Sequence, residues 1–177
     1  SEKEEGNMKI IDNFVEAEQF KKMSDFMLNP GFDWYVCDDG INQQGDGHFQ
    51  FVHTFYDSNI HTERYGMVQD IIWKLVNTES VNPEYTFCIL RIKTNLLTRT
   101  EQHIVHGMHT DFQHFTQEYK TAILYMNTNN GYTLFENGEK VDSVANRMVI
   151  FDGRKKHSSV SQTDTNLRCV INFNWVS

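Results

Sequence analysis

The residues best suited to chemistry are His109 and Asp111, separated by one residue, and His157 further along the chain. Successive side chains alternate on an extended segment, so His109 and Asp111 are expected to point to the same side and chelate one ion. With His157 as a third ligand, the set offers two imidazoles and one carboxylate. This donor set suits non-haem Fe(II) and leaves positions open, whereas cysteine ligands favour zinc. The sequence therefore predicts a metal site at these three residues.

The spacing of His109 and Asp111 is weak support by itself, because about half of all sequences of this composition contain such a pair by chance. His61 and Glu63 have the same spacing, but they stand at the start of a predicted helix and are interpreted as surface or capping residues. His103 and His106 are stronger alternatives to His109, since these histidines recur every third residue. The simpler interpretation is that they line a loop over the site.

Arg168 is the second candidate functional residue, and it lies in the otherwise apolar run from Leu167 to Phe173. A buried guanidinium needs a partner, and no Asp or Glu lies nearby in the sequence. A planar guanidinium can bind a carboxylate through two parallel hydrogen bonds. The sequence therefore predicts that Arg168 holds an acid beside the metal.

The composition limits the fold and the partners. The chain has 177 residues, 13% aromatic side chains, ten Gly and only two Pro, which favours one β-rich domain. We expect this domain to span residues 8–177, with the acidic, apolar-poor segment Ser1–Asn7 an appended or disordered stretch outside it. The net charge of -8 argues against a duplex nucleic-acid binder, which would need a basic face.

The cysteines and the apolar runs bear on the compartment. Cys37, Cys88 and Cys169 show no CxxC spacing and cannot all pair, which disfavours a disulfide framework or a zinc knuckle. No apolar run approaches the ~18–20 residues of a membrane span, and no signal-peptide pattern begins the chain. We expect a cytoplasmic protein without a membrane partner.

Periodicity predicts two helices followed by a series of strands. The first helix has Asn13 as N-cap and ends at Asn29-Pro30-Gly31, and the second spans residues 63–76 with an apolar stripe. A Gly-, Asp- and Gln-rich loop is expected over residues 38–47. The predicted strands cover residues 8–11, 32–37, 51–56, 85–97, 120–126, 132–135, 139–144, 148–151 and 167–175. This order predicts a mainly β (α+β) fold: a double-stranded β-helix, or jelly roll, with two N-terminal helices packed on one sheet. A β-sandwich without a site is the alternative.

The order of motifs resembles the Fe(II)/2-oxoglutarate-dependent dioxygenases, and within them the prolyl 4-hydroxylase-like branch. The motifs are His109-Thr110-Asp111, Tyr125-Met126-Asn127, the segment NGYTLFENG at 130–138, the segment NRMVIFD at 146–152, then His157 and Arg168. They span about half the chain, from Phe87 to Trp175. The branch often has Gly-Gly where this chain has Asn130-Gly131, a difference that concerns loop shape.

The resemblance implies roles for individual residues. His109, Asp111 and His157 would bind iron, and Arg168 would bind the distal carboxylate of 2-oxoglutarate, with the Tyr125 hydroxyl sharing it. Asn172 matches a cofactor-contact position. Arg147 and Asp152, also at family positions, are interpreted as structural.

The implied reaction couples decarboxylation of 2-oxoglutarate to succinate with hydroxylation of an unactivated C–H bond, with Fe(II) as cofactor and ascorbate as a stimulant. The expected acceptor is a peptidyl prolyl residue in a peptide or protein, entering under the 38–47 loop and the polar run 98–108. The alternatives are a free amino acid or small metabolite, and a non-catalytic metal-binding jelly roll. A nucleic-acid demethylase is disfavoured, because that branch has a second arginine where this chain has Asn172 and Asn174.

Overall fold

The chain folds into two antiparallel β-sheets and two α-helices, in a computed structural model that describes residues 2–5, 8–42, 45–79 and 87–176. Outside these ranges lie the predicted start of a strand at Tyr85, residues 43–44 of the predicted loop, and Ser1, Gly6 and Asn7.

The helices are α1 (Ala17–Leu28) and α2 (Gln69–Thr78), and a 3-10 helix, Glu63–Met67, precedes α2. The strands are β1 (Glu2–Glu5), β2 (Met8–Asp12), β3 (Tyr35–Cys37), β4 (Gln50–Asp57), β5 (Ile60–His61), β6 (Cys88–Thr98), β7 (Lys120–Tyr125), β8 (Tyr132–Phe135), β9 (Lys140–Asp142), β10 (Arg147–Asp152), β11 (His157–Val160) and β12 (Leu167–Val176).

The large sheet has the order β1-β2-β10-β7-β12-β6-β4-β3, with β5 paired to β4, and the small sheet has the order β11-β8-β9. Two isolated bridges, Val105 with Val160 and His109 with His157, extend the small sheet along the chain segment before β7. Neighbouring strands in the large sheet are mostly distant in sequence, as a jelly roll requires. The predicted mainly β fold with two helices is confirmed.

Alternation along the central strands separates two cores. Ala122 and Leu124 of β7 belong to the larger apolar cluster, which both helices join through residues such as Met27 and Leu75. Ile123 and Tyr125 of the same strand belong to a smaller cluster with Phe135 and Val141 of the small sheet. The helices therefore cover one face of the large sheet, and the space between the sheets lies on the other.

The first helix begins later than the sequence predicts, and its N-cap is Glu16 rather than Asn13. The Glu16 carboxylate accepts hydrogen bonds from the backbone N–H groups of Glu18 and Gln19 at 2.9 and 3.0 Å. Asn13 has φ +57°, outside the range for a helix N-cap. The cause is tertiary: the Asn146 side chain accepts from the Val15 N–H and donates to its carbonyl, both at 2.8 Å, which keeps Val15 non-helical.

Other boundaries also differ from prediction. The predicted strand at 32–37 is reduced to β3, because Phe32 turns into the core against the rings of His53 and Phe55. The predicted second helix is divided at Val68, yet its apolar stripe, Val68, Ile71, Ile72 and Leu75, is buried as expected. Strand β11 is absent from the prediction.

In the described part of the chain, neither α1, α2 nor any other helix combines the length and apolar character of a membrane span.

Candidate metal and cofactor site

His109 and His157 are held side by side by the backbone. Each N–H donates to the other residue's carbonyl oxygen at 3.0 Å, and the ring centroids are 4.7 Å apart. Nδ1 of His109 lies 3.4 Å from the carbonyl oxygen of Gly107, and Nδ1 of His157 lies 3.1 Å from that of Lys155. A carbonyl only accepts, so Nδ1 is the donor in both contacts, and Nε2 is the ring nitrogen of each histidine that remains for a metal.

Asp111 supplies a third donor atom. One donor atom from each of His109, Asp111 and His157 lies within 4.8 Å of the others, and no further such cluster occurs among the described residues. Burial alone would raise the pKa of Asp111, but His157, Arg91 and His109 nearby outweigh it, and the net pKa is lowered. The carboxylate is therefore ionised.

The imidazole of His109 is neutral. Burial, followed by the neighbouring His157, lowers its pKa. Neutral imidazole and ionised carboxylate are the protonation states that a divalent ion needs. The structure thus brings the three predicted ligands together, with His109 neutral and Asp111 ionised.

Asn174 fixes the orientation of Asp111. Its Nδ2 donates to Oδ2 of Asp111 at 2.7 Å and to Oγ1 of Thr121 at 3.0 Å, and Thr121 itself lies 3.4 Å from the same carboxylate oxygen. Asn174 is buried on β12, on the face that Arg168 and Asn172 share. The sequence prediction did not assign Asn174 this role, although it lies at an even spacing from Arg168 on one strand.

Substituting Asn174 with alanine is expected to weaken metal binding by roughly 10- to 100-fold, the usual effect of removing a hydrogen-bond partner of a metal ligand. The reason is that the Asp111 carboxylate loses its shortest hydrogen bond and is free to rotate. Titration of the metal-free protein with Mn(II) by calorimetry measures the change. Thr121→Val serves as the control, because it removes the 3.4 Å contact to Asp111 and the bond that Thr121 accepts from Asn174, but leaves the 2.7 Å bond from Asn174 to Asp111. Equal affinities in Asn174→Ala and the unsubstituted protein would contradict the role.

A cavity of about 280 Å³ opens beside the three donors. Its wall includes His109, Asp111, His157, Thr133, Ser159, Arg168 and Asn172, together with Arg91, Lys93 and Asn95 of β6. These β6 residues alternate with Ile92, Thr94 and Leu96, which are buried on the opposite face. The period of two along β6 was a usable signal for this wall, but the sequence prediction used it only to assign a strand.

Arg168 is buried in this wall, 2% exposed. Its Nε donates to Oγ of Ser143 at 2.9 Å, and one terminal nitrogen donates to Oγ of Ser159 at 2.8 Å. Burial lowers its pKa, with smaller opposing effects from Tyr125 and Cys169. Among the described residues no carboxylate forms an ion pair with it. The guanidinium is thus oriented by hydroxyls, and its charge is left for an anion in the cavity.

Gly131 adjoins the Arg168 side chain so closely that no larger residue fits. A Cβ atom at position 131 would lie 2.8 Å from Cδ of Arg168 and 2.9 Å from the carbonyl oxygen of Val160. Real Cβ contacts of this length essentially do not occur, so Arg168 or the backbone would have to move. The absence of a side chain at Gly131 therefore leaves the space that the Arg168 side chain occupies.

The remaining two predicted cofactor residues differ in placement. Asn172 lines the cavity, and no described residue forms a hydrogen bond with its buried Oδ1. Tyr125 is fully buried and is not part of the cavity wall; its hydroxyl donates to Oγ1 of Thr133 at 2.7 Å. Burial raises the pKa of Tyr125 to about 12. Thr133, which does line the cavity, is therefore the group that Tyr125 positions.

The alternative histidines lie apart from the donor cluster. Nδ1 of His103 lies 2.7 Å from the carbonyl oxygen of Ser161. His106 is buried, and neither of its ring nitrogens has a hydrogen-bond partner in the described part of the chain. Its ring packs at 5.0 Å from that of His48, and Nδ1 is 4.0 Å from Asp46. His61, which has the same spacing to Glu63 as His109 has to Asp111, is exposed and stacks on the ring of Tyr65. None of them joins His109, Asp111 and His157.

His106 is expected to make the metal-free protein less stable in mild acid. Burial, the neighbouring His48 and Arg168 lower its pKa to about 4, against a smaller opposing effect of Asp46. The unfolded chain takes up a proton near pH 6.5 while the folded one does not, so stability falls as pH drops from 6.5 towards 4, by up to roughly 3 kcal/mol. Urea unfolding at pH 7 and pH 5 measures it. His106→Gln should lose less stability over this interval; an equal loss would exclude His106 as the cause.

Comparisons with known proteins give a clear result for structure only. No family model matches the chain, and no curated protein matches it significantly. A 2OG-Fe(II) oxygenase family oxidoreductase from Burkholderia pseudomallei matches with a TM-score of 0.74 at 10% identity, over 97% of this chain and 85% of that one. The collagen prolyl hydroxylase of Paramecium Bursaria Chlorella virus-1, in complex with 2OG, matches with a TM-score of 0.64 at 11% identity, over 97% of each chain.

A third match is the prolyl hydroxylase of Trichoplax adhaerens in complex with a peptide fragment of the hypoxia inducible factor oxygen degradation domain. Its TM-score is 0.65 at 14% identity, over 96% of this chain and 82% of that one. Identities this low establish the fold. The chain has the jelly-roll fold of the 2OG-Fe(II) oxygenases, prolyl hydroxylases among them, which confirms the predicted fold class and the resemblance at that level.

Proposed function

We propose that this protein is an Fe(II)/2-oxoglutarate-dependent dioxygenase that hydroxylates an unactivated C–H bond. The observation that carries the proposal is the meeting of two groups in one cavity. Three donor atoms of His109, Asp111 and His157 lie within 4.8 Å of one another, and the buried Arg168 faces the same cavity without a carboxylate partner among the described residues. A binding module for a metal alone does not need the arginine.

The residues present fit both absent groups. Two imidazole nitrogens and one carboxylate suit Fe(II) and leave coordination positions open. The free charge of Arg168 and the unpartnered Oδ1 of Asn172 are buried polar groups that a polar ligand would satisfy. When bound, iron and 2-oxoglutarate supply the oxidising chemistry, with succinate and carbon dioxide as by-products.

The protein groups bind, orient and exclude water. Arg168, held by Ser143 and Ser159, would bind the distal carboxylate of 2-oxoglutarate through its remaining N–H groups. Tyr125 would act through Thr133, whose hydroxyl it orients at the cavity wall. Asn174 keeps Asp111 turned towards the ion. No side chain is required as a general acid or base.

One acceptor class of the proposed reaction is a peptidyl prolyl residue. The sequence resemblance to the prolyl 4-hydroxylase-like branch supports it, as do matched structures that are prolyl hydroxylases, one of them in complex with a peptide fragment. Ile41 and Asn42, from the predicted covering loop, contribute to the cavity wall, where they would contact a bound substrate. We further propose that residues 8–177 act as one domain.

A second acceptor class is a free amino acid or another small metabolite. Arg91 and Lys93 in the cavity wall favour it, because a cationic wall suits a small acid better than an uncharged prolyl side chain. The same metal and cofactor residues would serve either acceptor.

The test is a succinate-release assay with Fe(II), 2-oxoglutarate and ascorbate, together with calorimetric binding of Mn(II) and the 2-oxoglutarate analogue N-oxalylglycine. We expect slow succinate release without acceptor, and analogue binding only in the presence of Mn(II). A non-catalytic metal-binding module would instead be stabilised by zinc without any response to the analogue. That result would overturn the proposal.

A further inference from the structure

Two cations of β6, Lys93 and Arg91, lie in the cavity wall. The Lys93 ammonium has no hydrogen bond or ion pair with any described residue, and burial, followed by the nearby Arg91, lowers its pKa against weaker attraction from Cys37, Asp111 and Asp57. Arg91 lies 3.6 Å from Asp111 and 4.7 Å from the ring centroid of Phe112, and its buried Nε has no partner among the described residues. Holding such charges out of water is costly, so their retention calls for a ligand.

The groups of the proposed reaction do not supply the missing anion. A divalent ion and Arg168 carry three positive charges, and Asp111 with the two carboxylates of 2-oxoglutarate carries three negative ones. This set is neutral, since both histidines are uncharged ligands. Arg91 and Lys93 stand outside this neutral set. Arg91 contacts Asp111, whose charge the set already includes, and the Lys93 ammonium has no ion pair with a described residue.

The strand register places these cations at the metal end of the cavity. Arg91 pairs across β6 and β12 with Asn174, which holds Asp111, and Lys93 pairs with Asn172. Leu97 pairs with Arg168, so the backbones of Lys93 and Arg168 are four strand positions apart, ~13 Å. An anion held by Lys93 would therefore sit near the metal, where the acceptor must present its C–H bond.

We propose that Lys93, assisted by Arg91, binds a carboxylate of the acceptor, so that the substrate is a small carboxylic acid such as a free or N-acylated amino acid. The inference rests on the proposed dioxygenase function. The cavity volume of about 280 Å³ lies just below the range of roughly 300 to 1,000 Å³ that is usual for ligand pockets, and 2-oxoglutarate must share it. The space left beside the cofactor favours a small acid over a peptide segment.

The experiment compares matched acids and amides in the protein loaded with Mn(II) and N-oxalylglycine. The probes are N-acetyl-L-amino acids and their carboxamides, with N-acetyl-L-proline and N-acetyl-L-prolinamide as the pair that separates a free acid from a peptidyl prolyl unit. Calorimetry measures binding. We expect at least one acid to bind about tenfold or more tighter than its amide, a difference typical of a charge-assisted hydrogen bond to a buried cation.

The Lys93→Met variant, whose side chain has a similar length without the charge, should lose this preference. It should still bind N-oxalylglycine within about threefold of the unsubstituted protein, and Lys93→Arg should restore part of the preference. An unfolding scan confirms folding, and removing the buried charge is expected to raise the stability of the metal-free protein.

Three outcomes would overturn the inference while leaving the dioxygenase proposal intact: no acid of the panel binds, amides bind as well as acids, or the preference survives in Lys93→Met. Loss of N-oxalylglycine affinity in Lys93→Met, with the acid preference unchanged, would overturn it too, because Lys93 would then bind the cofactor. Failure of Mn(II) and N-oxalylglycine to bind the unsubstituted protein would instead count against the dioxygenase itself.

Discussion

The His109→Ala variant is expected to lose succinate release completely and to bind Mn(II) more than about 100-fold more weakly, since even the outer partners of metal ligands contribute roughly 10- to 100-fold. The loss should be chemical and not structural. The two bridging hydrogen bonds between residues 109 and 157 join main-chain atoms, so alanine can keep them. Calorimetry with Mn(II) and the succinate assay measure the two effects, and urea unfolding should show a stability close to that of the unsubstituted protein.

His103→Ala is the matched control, because His103 was an alternative ligand from the sequence and lies apart from the donor cluster in the structure. It should bind Mn(II) normally. Metal binding that survives in His109→Ala and fails in His103→Ala would show that the assignment of the ligands is wrong.

The Arg168→Ala variant is expected to keep its affinity for Mn(II) within about threefold but to need at least about 100-fold more 2-oxoglutarate for half-maximal succinate release. Two hydrogen bonds from a guanidinium to a carboxylate contribute about 1.5–3 kcal/mol each, and each 1.4 kcal/mol is tenfold in affinity. The 2-oxoglutarate concentration that Arg168→Lys needs should lie between those of Arg168→Ala and the unsubstituted protein, because lysine keeps the charge and loses the planar guanidinium. The measurement is the dependence of initial rate on 2-oxoglutarate concentration.

Arg147 offers a contrasting control on β10, which β7 separates from β12 in the same sheet. It also stands in a family-like motif, but its guanidinium is paired with Asp12 at 2.6 Å. Arg147→Ala should reduce stability without changing the requirement for 2-oxoglutarate. An unaltered requirement in Arg168→Ala would remove the main support for the cofactor.

Where alternation or helical periodicity is strong, the sequence predicts the structure well. The stripe Val68, Ile71, Ile72 and Leu75 packs as expected, and the long strand β12 carries Arg168 into the space between the sheets. These patterns are local and repeat over many residues, so tertiary contacts reinforce them. Alternation predicted that His109 and Asp111 point to the same side, whereas no local pattern indicates that the distant His157 joins them.

The sequence prediction misses features that are determined by contacts between residues distant in the chain. His157-Ser158-Ser159-Val160 has no apolar alternation, and it becomes a strand only because β8 pairs with it. The start of α1 depends on Asn146, more than a hundred residues away. The direction of the Tyr125 hydroxyl depends on Thr133 across the space between the sheets. Local propensity contains none of this information.

The alternation along β6 and β12 also separates positions that should tolerate substitution from positions that should not. Residues on one face of the two strands, such as Ile92 and Phe173, pack under the helices, while Lys93 and Asn172 on the other face line the cavity. Substrate preference can therefore drift through one set of positions without loss of fold, and an engineer could vary Lys93 and Asn95 together in a library while leaving the helix-facing residues untouched. A single-residue insertion in either strand would have the opposite effect, because it would exchange the two sets at once.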